Sequence, residues 1–176
     1  MCTTPNHYRW RFFLSVVPSV VALCLAYVHA SASAPVYCAV EHSILPLKTW
    51  GLVDRDGANR PTEPYLGSLL NGESRTGTIS SPPFQLAVDT VRFTIRGHDG
   101  LGGGRDQNFA ALIDNKTGRI LRKTHAPGND ALQQRVWDVA DLQGRTVRFQ
   151  LVDRNRDGAY AWLGVEKIDA GPELVI

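Results

Sequence analysis

The stretch that decides the fold runs over residues 93–168. It opens with FTIRGHDG (93–100), passes through NFAALIDNKTGRILR (108–122) and closes with RVWDVADLQGRTVRFQLVDRNRDGAYAWLGVEKI (135–168). Val91, Phe93 and Ile95 alternate with Arg92, Thr94 and Arg96, the period-two pattern of a strand with one face in a core. Val147, Phe149 and Leu151 repeat it, with Arg148 and Gln150 turned outward. Between these strands lie a glycine-rich loop at 97–107, a strand at 109–113, a tight hairpin turn at 115–118 and a loop at 127–130. Trp137 reads as core, and Asp138 as the cap of a single helical turn over 139–144. A turn at 153–158 leads into a last strand at 160–168.

Working outward, 78–86 is extended, and Pro82-Pro83 belongs at an edge or strand end because neither donates to a ladder. Residues 61–76 contain Pro61, Pro64, Gly67 and Gly72 and read as an irregular surface loop. Residues 50–60 read as a strand end entering a turn, and 35–47 as a leader or first strand. No segment holds a helical period. Short strands punctuated by turns predict an all-β, antiparallel β-sandwich rather than a βαβ sheet. The expected organisation is 35–76 as N-terminal strands and loop, 77–169 as the sandwich core and 170–176 as a tail.

Residues 1–34 stand apart. Arg9 and Arg11 precede an apolar run of 17 residues at 12–28, followed by the small residues Ala30-Ser31-Ala32-Ser33-Ala34. This is the layout of a signal peptide, with an uncleaved anchor as the alternative. Cleavage predicts a secreted, periplasmic or cell-surface protein with no membrane contact afterwards. Of 19 basic and 17 acidic residues, the first 34 hold two arginines and no acid, so the remainder balances at 17 each. No basic stripe is left to neutralise phosphates, which argues against nucleic acid as a partner. Cys2 and Cys24 would leave with the signal, so Cys38 would have no partner within the chain. It reads as a buried thiol near a first strand or as a link to a second chain.

The order of pieces resembles a known domain. Phe93-Thr94-Ile95-Arg96-Gly97-His98-Asp99-Gly100, then Asn108, then Trp137-Asp138-Val139, Gly144, Leu151-Val152-Asp153 and Ala161-Trp162 before Ile168, looks like the galactose-binding-like jelly-roll domain. Similar domains accompany levanase-type glycoside hydrolases and other secreted bacterial proteins. The upstream run Gly77-Thr78-Ile79-Ser80-Ser81-Pro82-Pro83-Phe84 is similar to the opening of that domain. The resemblance covers 77–168 and implies a jelly-roll fold and an association with carbohydrate. The chain departs from it in the long GHDGLGGGRD loop and in Ala159-Tyr160-Ala161-Trp162, where a Gly-Trp-Gly-His step is usual.

Asp153, Asn155 and Asp157, with Gly158, have the D-x-N-x-D-G spacing that opens a calcium loop. The closing bidentate acid is missing, since the twelfth position is Gly164. The two readings are a calcium site and a polar β-turn. Asp54-Arg55-Asp56-Gly57 is a shorter echo. His98, Asp99, Asn108, Asn129 and Asp130 are the polar residues expected to gather where loops collect, and Tyr160 or Trp162 would supply an aromatic face for a sugar ring. The alternative is that Asp99, Asn129 and Asp130 are turn formers bonding the backbone, that His98 satisfies a loop carbonyl, and that Trp162 belongs to the core.

Signals for catalysis are weak. The glutamates at 41, 63, 73, 166 and 173 are scattered, no G-x-S-x-G occurs, and the histidines lack paired spacing. The sequence therefore points to a secreted, noncatalytic module with a glycan as its partner. The second reading is a structural or protein-interaction domain of the cell envelope without a small-molecule ligand, its partner a cell-envelope component.

Overall fold

The alternation in the sequence becomes two facing sheets in a computed structural model that describes residues 40–43, 49–56, 59–171 and 173–174. Residues 1–34, read above as a signal peptide, and Cys38 lie outside the described residues. Twelve strands follow in order: β1 (Val40–Ser43), β2 (Gly51–Arg55), β3 (Pro61–Gly67), β4 (Gly77–Ser80), β5 (Phe84–Gln85), β6 (Thr90–Asp99), β7 (Asn108–Asp114), β8 (Ile120–His125), β9 (Asn129–Asp138), β10 (Thr146–Asp153), β11 (Ala161–Asp169) and β12 (Glu173–Leu174). One sheet runs β1-β4-β10-β7-β8 with β5 beside β10, and the other runs β2-β3-β11-β6-β9 with β12 beside β11. Every described pairing is antiparallel. The expected all-β, antiparallel β-sandwich is the fold.

Inward positions fall where the alternation puts them. Val91, Phe93 and Ile95 of β6 meet Val147, Phe149 and Leu151 of β10 in one apolar core. Phe93 stands edge-on to both Trp137 (centroids 4.7 Å apart) and Phe149 (5.3 Å). Each such ring is worth about 1.5–3 kcal/mol of burial, and edge-on contacts add to it. Trp137 gives its indole N–H to Thr124 Oγ1 at 2.7 Å, tying β9 to β8 across the two sheets. After Trp137 the chain makes the expected single turn, a 3-10 turn at Ala140–Leu142, and Asp138 Oδ1 accepts the Ala140 N–H at 3.1 Å. Among the described residues no helix is long and apolar enough to cross a membrane.

Two readings need correction. Residues 61–67 are not loop but strand β3, with Tyr65 and Leu66 buried. The prolines fit because β3 joins β11 only through Gly67↔Gly164 and Leu66↔Val165, leaving Pro61 and Pro64 outside that ladder. Asn129 and Asp130, placed in a loop by their turn-forming character, begin β9, whose Asn129 pairs with Gly97 of β6. Tertiary pairing overrides local turn preference there.

Candidate functional site

The site grows from the ends of β6 and β11. Antiparallel register sets Trp162 opposite His98 and Ala161 opposite Asp99. Side chains directly opposite share a face, so the outer surface of this sheet carries His98 beside Trp162, with ring centroids 6.2 Å apart. Gly97 makes the approach possible, because at its φ of 111° a Cβ would stand 2.2 Å from the Trp162 carbonyl oxygen. One residue before β11, Tyr160 leans on His98 edge-to-face at 5.0 Å. Its carbonyl accepts the Gly100 N–H at 2.5 Å.

The two candidate aromatics part company here. Trp162 is buried at 2% exposure, so its ring does not face solvent. Tyr160 is 50% exposed and held at φ 58°, a left-handed conformation that costs a non-glycine residue about 1–2 kcal/mol. His98 Nε2 lies 3.0 Å from Asp130 Oδ1. With the Nε2 proton directed at that carboxylate, the neutral ring keeps Nδ1 as an acceptor. Together with Asp99, Ala126, Gly128 and the loop residues Gly100, Leu101, Gly102 and Gly103, His98 and Tyr160 line a cleft of about 340 Å³.

Asp99 closes the neck of that loop. Its carboxylate accepts from the backbone N–H groups of Gln107 (3.2 Å) and Asn108 (3.0 Å), so residues 100–106 leave and rejoin the sandwich at one point. Asn108 is fully buried and spent on structure. Its amide donates to the His98 carbonyl and its oxygen accepts from Arg154 and Asn155 N–H, binding three chain segments together. Asn129 makes a local turn through the Ala131 N–H at 2.8 Å. Of the residues singled out from sequence, His98, Asp99 and Tyr160 line the cleft, and Asp130 reaches it through its contact with His98. Asn108, Asn129 and Trp162 support it from behind or beside it.

Behind the cleft, the 153–158 turn is occupied by protein partners. Asp153 accepts from the Ser68 hydroxyl at 2.5 Å and from the Asn155 N–H at 3.2 Å. Asn155 Oδ1 accepts the Asp157 N–H, and Asp157 pairs with Arg105 at 2.7 Å. Burial pushes the Asp153 carboxyl up to about 8. The hydrogen bonds from Ser68, Asn155 and Asn108 oppose that rise, and the nearby Asp99 adds to it. At neutral pH this carboxyl holds a proton. The Asn155 side-chain NH2 is buried without an acceptor. Among the described residues no three His, Cys, Asp or Glu side chains form a metal-holding group.

Sequence reasoning missed several contributors. Ser68 lies 85 positions from Asp153, and Glu73, which accepts the Ala161 N–H at 2.9 Å, lies 88 positions from its partner. No local pattern announces such pairs. Tyr65 was missed with β3. Its ring lies over Gly67 and its ladder partner Gly164, where an added Cβ would come within 2.9 and 2.6 Å of the ring, and the Arg96 guanidinium stacks on it at 4.3 Å.

The fold and site define a two-sheet antiparallel sandwich with a cleft of about 340 Å³ at the loop end of one sheet. No protein-family model matches the chain. A protein named "Putative glycosyl hydrolase ecdE", from Aspergillus rugulosus, is 29% identical over 101 residues. The match spans 57% of this chain but only 13% of that protein. Among solved structures, the C-terminal extracellular domain of Mycobacterium tuberculosis EmbC aligns with a TM-score of 0.47 at 11% identity, covering 83% of this chain and 60% of that one. The K1 cleaved adhesin domain of Lys-gingipain from Porphyromonas gingivalis W83 aligns at 0.41 and 13% identity, over 75% and 98%. The secreted serine protease VesC from Vibrio cholerae aligns at 0.39 and 15%, over 61% and 21%. Identities this low carry no residue role across.

Proposed function

We propose that this protein is a secreted, noncatalytic β-sandwich module that binds glycan in the cleft between His98, Tyr160 and the 100–106 loop. The observation that carries the reading is Tyr160. A half-exposed tyrosine is kept in a left-handed backbone against His98, at the mouth of a cleft whose other lining residues are glycines, Asp99, Leu101 and Ala126. Strain of that kind persists only where the surroundings enforce it, and it concentrates at ligand sites. The ring offers an apolar face for a sugar, while Asp99, Asp130 and His98 offer acceptors for its hydroxyls. The likeness to a named glycosyl hydrolase over a small part of its length suits an accessory module.

A few hydrogen bonds and one stacked ring give affinities of about −4 to −8 kcal/mol, millimolar to micromolar. The test is a glycan array probed with the chain, with and without a chelator, beside Tyr160→Asn. Asparagine accepts the left-handed conformation, so the variant keeps its fold and loses the platform. Binding by the parent and none by the variant supports the reading. Equal binding by a folded variant removes Tyr160 from the site. A hit lost on chelation supports a calcium requirement and directs mutagenesis to Asp153, Asp157 and Tyr160, and no hit at all favours the structural or protein-binding role.

A further inference from the structure

We infer that the cleft selects uncharged, terminal sugar rings over acidic ones, a conclusion that rests on the glycan reading above. Among the described residues no lysine or arginine lines the cleft. Its ionisable walls are Asp99, buried at 2% exposure, and His98, whose Nε2 is turned to Asp130. Arg105, on the loop that forms one wall, is committed to Asp157 at 2.7 Å. A uronate, sialic acid or sulfated ring entering this space would lose its water, come near the Asp130 carboxylate behind His98 and find no lysine or arginine among the lining residues in return. An uncharged ring meets the opposite situation. Asp130 keeps lone pairs beyond the one contact it makes with His98, and hydroxyl groups are the donors that fill them.

The remaining walls fit the same ligand. Leu101, 73% exposed, and Tyr160, 50% exposed, provide apolar surface at the cleft. At Gly102 and Gly103 nothing lies within 4 Å of where a Cβ would stand, so a ring can come directly against backbone. A volume of about 340 Å³ is at the small end for ligand clefts, enough for one ring and the start of a second. That favours the end of a glycan over the interior of a chain.

The experiment measures affinities of the chain for sugar pairs that differ only at C6, hexose against uronate, by titration calorimetry at low and at high salt. The expected result is a preference for the neutral member of about ten-fold or more at low salt, shrinking as salt screens the carboxylates. Asp130→Asn keeps an acceptor for His98 while deleting a charge, and it should narrow the same ratio. Equal or tighter binding of the uronate overturns the inference and leaves the glycan reading standing. A ratio that neither salt nor Asp130→Asn moves also overturns it, since selection would then come from shape. If no member of any pair binds, and no glycan on the array does, the glycan reading fails and this inference falls with it.

Discussion

Asp114 and Asp153 stand at opposite ends of the same strand pair. Asp114 closes β7 opposite Val147, and Asp153 closes β10 opposite Asn108. Both are largely hidden from water, at 8% and 0% exposure, yet their carboxyls move in opposite directions. Asp114 is held below the usual carboxylate range, chiefly by the Thr117 N–H and hydroxyl, with Arg145 and the Lys116 N–H adding to them. Asp153 is raised to about 8 because burial outweighs its donors, none of which carries a charge. Whether a buried carboxyl is an anion or an acid is decided by the donors that meet it and by the depth of the site. One end of the sandwich is therefore locked by an ionised turn, and the cleft end by a neutral acid.

The largest test of this contrast is stability against pH. The folded chain keeps the Asp153 proton up to about pH 8, whereas the unfolded chain releases it near 4. Folding therefore binds a proton in that window. The Asp153 contribution is greatest in acid, is lost as pH rises from about 4 to about 8, and is flat above. Between pH 5 and 8 the loss has an upper bound of about 4 kcal/mol, read by urea denaturation. Asp153→Asn cannot ionise and should flatten that slope. A variant with the parent's slope would show that Asp153 is already an anion.

Asp114→Asn should act with the opposite sign. A lowered carboxyl stabilises the fold above the unfolded pKa, and the effect disappears as pH falls through the folded value. The variant should melt below the parent at pH 7 and converge with it in strong acid. A deficit that persists in acid would mean that the turn needs the shape of aspartate and not its charge.

The smallest effect concerns the cleft loop. Arg105 and Asp157 are both more than a third exposed, so their pair is worth less than about 1 kcal/mol of stability. Arg105→Gln should leave melting nearly unchanged while loosening the wall that carries Leu101, so glycan affinity falls and stability does not. A large drop in melting temperature would show that the ion pair supports the sandwich itself.

The parts of the fold that could be read from sequence are those where one face is buried. Val91-Phe93-Ile95 and Val147-Phe149-Leu151 declare their strands because water is on one side only. β3 was unreadable because Pro61 and Pro64 look like loop, and only its far end, at Leu66 and Gly67, joins the sheet on both sides. At the site, residue type alone placed His98, Asp99, Asp130 and Tyr160 at the loop end. It left Trp162 open between core and platform. That distinction comes from register, which sets Trp162 inside the β6–β11 ladder and leaves Tyr160 one residue beyond it. The Ser68–Asp153 contact joins segments whose meeting depends on the whole sheet order, and nothing local encodes it.

The clasp at Asp99 has a consequence for how this protein can change. One carboxylate holds the rejoining strand at Gln107 and Asn108, directly beside the point where residues 100–106 depart. Across that interval Gly102, Gly103 and Gly104 have no atom close to where a Cβ would stand. Chain added or removed at 102–104 alters the wall of the cleft while leaving in place the contacts that Gly100, Arg105 and Asp106 make with the rest of the sandwich. The loop is a cassette: its length and composition can drift under selection for new ligands while the scaffold that presents it stays the same.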